Sequence, residues 1–253
     1  LPAVGRLFGL WQIKAILKKL IPDLLLTRYK EWAHFRYLRN LTTEDEPEFS
    51  VLISHARPHH LFLDVGANIG AYSYMLSPCT KKVIAIEPVH GTFLFLQRNI
   101  IKLGLTNVEC LNMAISDRVG EGSIHIPNHG GVKNYFRASL EMDSGVDASQ
   151  NVSMDTLDHL FLSEANQIGI IKIDVEGHEL KVIQGAIKLL QETDALWMIE
   201  ISTPLSDEHS EGARLLEIMN RFGYQLMVQD GGRLRPYRNG DERVNYFFRK
   251  DKD

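Results

Sequence analysis

Cysteine is nearly absent. Cys79 and Cys110 are the only two, far apart and without metal-ligand spacing, which excludes a disulfide framework and a structural zinc site. Their scarcity fits a reducing cytosol, so a cytoplasmic location is the expectation. Long hydrophobic runs are missing too: no stretch reaches the roughly 18 apolar residues that a bilayer-crossing helix needs. Nor is there a surplus of positive charge. The formal net charge of −4 gives no global attraction to phosphate backbones and argues against a nucleic-acid partner. Internal repeats are also absent. What remains is 253 residues, 44% hydrophobic and 24% charged, enough to bury one sizeable core with a short appendage.

The charge is unevenly spread. Residues 1–40 carry eight basic side chains against Asp23 and Glu31, about +6 for this segment and about −10 for the rest. The segment reads as two helices broken at Pro22, with Leu10, Ile13, Ile16, Leu17 and Leu20 on one arc and Lys14 and Lys18 beside it. Such a face packs on its own domain or on a second subunit of a homodimer. Its basic flank and Trp11 also suit peripheral contact with an anionic membrane surface. Residues 1–58 are therefore read as a helical appendage and 59–253 as the main domain.

From residue 60 onward, short β-branched runs alternate with amphipathic stretches, the pattern of a mostly parallel sheet with helices on both faces. Seven strands are expected: 60–66, 82–87, 108–114, 169–174, 195–201, 224–229 and 244–249. Helices are expected near 69–77, 90–103, 178–192 and 208–222, the last capped by Ser206 or Asp207 and ended at Gly223. Residues 115–168 break the alternation, with short extra strands at GSIHIP and NVSMDTL around a long polar loop. A loop of that length is a lid, a binding loop or an inert insertion.

The chemistry begins at LFLDVGANIGAYSYML, where a buried strand passes through Gly66, Ala67, Asn68 and Gly70 into a helix. Glycines there let the backbone approach a ligand, and the helix start offers unpaired amide donors. The third glycine of the dinucleotide fingerprint is missing. Asp64, just before the turn, favours a cationic or amino-bearing ligand over a pyrophosphate, which disfavours a nicotinamide-dependent oxidoreductase. Glu87, at the tip of the next strand in KVIAIEP, is placed to accept two ribose hydroxyls. A nucleoside-bearing ligand is expected.

DVGANIG, IEP and especially IKIDVEGHE, with Asp174, Glu176, Gly177 and Glu179, resemble the FkbM family of S-adenosylmethionine-dependent methyltransferases over residues 60–202. The resemblance implies a Rossmann-like class I fold, S-adenosylmethionine as cofactor, and methylation of a hydroxyl on a sugar, glycan or similar polar metabolite. Carried onto this sequence, it gives Asp64, Gly66, Ala67, Asn68 and Gly70 the methionine part and Glu87 the ribose. Asn112, Met113 and Ala114 lie along the adenine, with Asp117 a further candidate. Methylation of a nitrogen or carboxylate, or a nucleoside-binding module without catalysis, are the alternatives.

A sulfonium methyl is already electrophilic, so the protein must position an acceptor oxygen and help remove its proton. Lys172 and Asp174 share a strand face next to the cofactor, Glu176 and His178 follow, and Glu200 ends the neighbouring strand. Asp174 is the first candidate to touch both cofactor and acceptor, and His178 is a candidate general base, since a histidine side chain takes up and releases protons near neutral pH. Glu200 orients the acceptor or pairs with Lys172. Glu176 has an alternative role as a helix cap. No metal is expected, because Lys172 would repel one. His55, His59, His60 and His90 lack ligand spacing and are read as surface or helix-start residues.

Overall fold

The computed structural model describes residues 23–129, 132–133 and 146–250, which fall into two units divided between Asn40 and Leu41. In the first, helix α1 (Asp23–Arg39) ends on Arg36 and Arg39, cations that complement the negative end of its dipole. Arg36 stands over the Trp32 ring at 5.3 Å and Arg39 over Phe35 at 5.8 Å. The apolar arc from Leu10 to Leu20 lies outside the described residues, as does the centre of the long polar loop, 134–145. Among the described residues no helix is long and apolar enough to cross a membrane.

The second unit opens with α2 (Pro47–His55), which has proline in its first turn and buries Phe49, Val51 and Leu52. Then come β1 (Leu61–Val65), α3 (Ala71–Leu76), β2 (Lys82–Ile86), α4 (His90–Leu103), β3 (Val108–Leu111) and β4 (Ala114–Ile115). An inserted arm follows: β5 (Gly120–His129), β6 (Val132–Lys133) and β7 (Val146–Asp155). The chain continues through α5 (Leu157–Phe161), β8 (Ile168–Ile173), α6 (Glu179–Gln184), α7 (Ile187–Glu192) and β9 (Leu196–Glu200). It closes with α8 (Glu211–Arg221), β10 (Tyr224–Asp230), β11 (Arg233–Pro236) and β12 (Asn245–Lys250).

The large sheet has the order β11-β10-β12-β9-β8-β1-β2-β3. The five strands from β9 to β3 are parallel, and β12, β10 and β11 add on antiparallel. This is the Rossmann-like α/β architecture. Strand order reverses between β1 and β8, where ligands of such sheets bind beyond the carboxyl ends. Alternation along the strands divides two cores. Leu61, Leu63, Val65, Trp197 and Ile199 pack with α6, α7 and α8, whereas Phe62, Ile170, Leu196 and Met198 pack with α2 and α3. Burial on both faces is why these strands read as continuous apolar runs.

Several details differ from the sequence expectation, among them the strand expected over 108–114, which ends at Leu111 and leaves Ala114–Ile115 to a second sheet. The sheet has eight strands rather than seven, because the short, arginine-bearing β11 carries no apolar period. The helix expected over 178–192 breaks at Gly185, where a Cβ would lie 2.0 Å from the Ser116 carbonyl oxygen. The cap of α8 is Ser210, whose hydroxyl accepts from the Ala213 N–H at 3.0 Å; the exit at Gly223 has the left-handed φ of +81°. The two short extra strands are the paired β5 and β7 of the arm, in a small sheet of order β4-β7-β5-β6. Ile124, Val152 and Met154 of the arm pack on Val89 and Ala114.

Candidate active site

Past Val65 the backbone turns through Gly66 (φ +76°), Asn68 (φ +52°) and Gly70 (φ +95°), conformations that glycine adopts freely and asparagine tolerates. Gly66 is also required by space, since a Cβ there would come 1.8 Å from the Asp174 carbonyl oxygen. The Gly66 and Ala67 amides donate to the Ile86 carbonyl at 3.0 and 2.9 Å, which ties the turn to the end of β2. Glu87 follows at once. Its carboxylate accepts from the Asn68 N–H at 3.0 Å and the Val89 N–H at 2.9 Å. Burial pushes the Glu87 carboxyl up to about 7, against the pull of those two donors.

Gly66, Asn68, Glu87, Met113 and Ala114 line one cleft with Asp174, Glu176 and His178 across from them. Asn68 Oδ1 is buried there with no hydrogen-bond partner among the described residues, an acceptor that a ligand donor would satisfy. Val89, Ile115 and Ile124 add apolar wall. Ile124 went unseen in the sequence, because nothing in GSIHIP marks a strand that returns over the cleft. The same arm contributes Gln150, whose amide accepts from the His90 N–H and donates to the Pro88 carbonyl, both at 3.2 Å.

Other expected cofactor residues stand behind the wall. Asn112 donates to the Glu87 and Pro88 carbonyls at 2.8 and 3.1 Å and meets His90 Nδ1 at 3.1 Å, holding the turn that carries Glu87. Ala67 is buried against Ala85, Leu96 and Ile100, and a Cβ on Gly70 would lie 2.8 Å from Leu96. Asp117 pairs with Lys181 at 3.1 Å. Asp64 is fully buried below the turn, where Oδ2 accepts from the Ser73 hydroxyl at 2.6 Å. Beside it Lys172 Nζ lies 3.5 Å from Asp64 Oδ1, 3.3 Å from Asp174 Oδ2 and 2.8 Å from the Gly66 carbonyl oxygen.

The opposite wall is the turn after β8. Glu176 (φ +52°) and Gly177 (φ +94°) are left-handed. The Val175 and Gly177 amides both donate to Glu179 Oε1 at 3.1 Å, so the last glutamate of the DVEGHE stretch builds the turn. His178 is buried, with Nε2 2.9 Å from the Ser116 hydroxyl. That contact directs its ring toward the segment following β4.

Glu200 ends β9, next in the sheet to β8. Burial pushes its carboxyl up to about 7, reinforced by the charges of Asp174, Glu176 and Glu179 and by a hydrogen bond to Asp174. Sequence reasoning missed two neighbours at the start of α2. Glu46 is raised by burial and by the charges of Glu48, Asp45 and Asp174. Glu48 accepts from Asn245 at 3.1 Å, and Asn245 stands in register with Glu200. Nothing in EDEPEFS links it to a strand end far along the chain. Among the described residues, no three His, Cys, Asp or Glu side chains are disposed to hold a metal ion.

Residues 64–226 match the model of the methyltransferase FkbM domain, a span that contains every cleft residue named above. The hexuronic acid methyltransferase AglP of Haloferax volcanii is 30% identical over 155 residues, 61% of either chain; the chain thus spans about three-fifths of that relative. Among solved structures, a methyltransferase FkbM from Methylobacillus flagellatus is 17% identical, covering 87% of this chain and 59% of its own, with a TM-score of 0.49. An S-adenosylmethionine-dependent O-methyltransferase from Thermotoga maritima is 12% identical, covering 87% and 72%, with a TM-score of 0.47.

Proposed function

The chain belongs to the FkbM methyltransferase family, and on that premise we propose that it transfers the methyl group of S-adenosylmethionine to a hydroxyl of a carbohydrate or similar polar metabolite. The observation that carries the cofactor half is the Glu87 carboxylate. It sits at the tip of β2, linked through the Asn68 amide to the glycine turn, beside the unsatisfied Asn68 Oδ1. Ionised, Glu87 accepts ribose hydroxyls. Met113, Val89 and Ile124 give an apolar slot for a base, and Asn68 Oδ1 takes a donor from the ligand.

The donor supplies a methyl on a positively charged sulfur, already activated for attack. What falls to the chain is to exclude water, align the acceptor and receive its proton. Burial and the neighbouring charges of Asp174, Glu176 and Glu179 push the Glu200 carboxyl up to about 7, so Glu200, beside Asp174, holds a proton that it gives up near neutral pH. Once that proton is lost, the pair accepts the one released as the hydroxyl oxygen takes the methyl. Glu176 lies on the acceptor side of the same turn, while His178, held by Ser116, orients the turn.

The relative from Haloferax, named for a hexuronic acid, supports a sugar acceptor. The local charge favours a neutral hydroxyl on that sugar over its carboxylate. A carboxylate would enter beside Asp174, Glu176 and Glu200, and like charges at a few ångströms cost several kcal/mol. Radiolabelled methyl transfer to neutral hexosides, amino sugars and hexuronates tests the reading, with calorimetry on S-adenosylhomocysteine and the oxidised nicotinamide dinucleotide beside it. A methyl ether on a neutral sugar is expected. A methyl ester would move the nucleophile to the carboxylate, and tighter binding of the dinucleotide would sink the proposal.

A further inference from the structure

Lys172 lies in the interior of β8, its side chain 3% exposed. An ammonium is costly to remove from water unless each of its donors finds a partner. Here the three neighbours of Nζ are Asp64, Asp174 and the Gly66 carbonyl oxygen, and the Tyr72 ring closes the site at 5.3 Å. Parallel register explains the pairing: Asp64 stands directly beside Lys172 across β1 and β8, on the face shared with α2 and α3. The pair therefore bridges the point where strand order reverses.

The bond to Gly66 is the unusual one. The peptide joining Gly66 to Ala67 is gripped at both ends: its N–H donates to the Ile86 carbonyl at 2.9 Å, and its C=O accepts from Lys172 at 2.8 Å. A peptide unit fixed at both ends cannot rotate about the flanking bonds. The next amide, that of Asn68, is thereby aimed at Glu87 Oε2. Asp64 has no place on the cleft wall; Ser73 and Lys172 are its partners.

We infer that Lys172 is the positioning residue of the cofactor turn, pinning the Gly66–Ala67 peptide so that Asn68 and Glu87 meet the ligand, with Asp64 as its buried counter-ion. Neither side chain touches the cofactor. The inference rests on the cofactor reading above and adds the part that orients it.

The test uses the full chain as wild type, Asp64→Asn, Lys172→Met and the double variant, measured by thermal melting and by calorimetry with S-adenosylhomocysteine. Lys172→Met is expected to melt lower and to bind at least tenfold more weakly, because it frees the Gly66 carbonyl and strands a buried carboxylate. Adding Asp64→Asn removes that stranded charge, so the double variant recovers most of the melting temperature and keeps the weak affinity. Recovery of affinity together with stability would overturn the inference and leave Lys172 a charge-balancing residue only. Asp64→Asn, nearly isosteric, decides the matter if the methionine variants fail to fold. It is expected to lose less than threefold in affinity, and a tenfold loss would place the carboxylate on the ligand and overturn the inference. A wild-type chain that does not bind S-adenosylhomocysteine sinks the cofactor reading itself, which separates the two failures.

Discussion

Two charged groups stand on neighbouring strand ends and obey opposite logic. Below the glycine turn, Lys172 lies between Asp64 and Asp174 and donates to the Gly66 carbonyl, so its charge is balanced. At the rim, Asp174, Glu176 and Glu200 crowd together, and Glu200 is pushed up to about 7. The matched interior is built to hold its shape. The mismatched rim stores a proton-accepting tendency near neutral pH, at a cost to stability that active sites commonly carry. Removing charge from the first region should therefore destabilise the fold, and removing it from the second should do the reverse.

The largest effect is expected where the two regions touch. Gly66→Ala would drive a Cβ into the Asp174 carbonyl, 1.8 Å away, so calorimetry should detect no binding of S-adenosylhomocysteine; wild-type affinity would mean the turn and the rim are not in contact. Next is Asp174→Asn, which belongs to both regions. Its turnover should fall by about 10²- to 10⁴-fold, the usual worth of a positioned proton acceptor, with a much smaller loss in cofactor affinity. An intact rate would remove Asp174 from catalysis.

The contrast itself is sharpest in chemical denaturation. Lys172→Met should lose about 3–5 kcal/mol, as when one partner of a buried ion pair is deleted. Glu200→Gln should hold or raise stability at pH 8 and erase the limb of the rate profile that rises through about pH 7. If both variants lose stability alike, the division into matched and mismatched charge is wrong. Smaller again is the pH dependence of binding. Glu87 sits at about 7 in the free protein, raised above its ordinary value, and in the proposed reading its ionised form accepts the ribose hydroxyls. Affinity for S-adenosylhomocysteine should be full above pH 7 and fall by up to about tenfold per unit below it, a slope absent in Glu87→Gln. Least is Gln150→Ala, which removes two hydrogen bonds to the Glu87 turn and should weaken binding by about fivefold, roughly 1 kcal/mol.

Much of the site was legible because its parts are local. The glycine turn, Glu87 at the next strand tip and the DVEGHE turn each sit within a few residues of a strand end, so period and spacing expose them. Other roles depended on which strand lies beside which. Asp64 stands in register with Lys172, more than 100 residues away, a pairing that no local spacing reveals. The contact between His178 and Ser116, 62 residues earlier, likewise has no signal in the sequence. Ile124, Gln150, Glu46 and Glu48 carry no motif at all.

By itself, the sequence determined that a parallel α/β sheet would present a glycine turn at Gly66 and an acidic strand tip at Glu87, since hydrophobic period and backbone permissiveness act over short stretches of chain. Only the tertiary structure decided which charges are balanced and which are left to react. That outcome depends on strand register and on an arm folded back over the cleft, and electrostatic pairing is set by distance in space, which residue order does not encode.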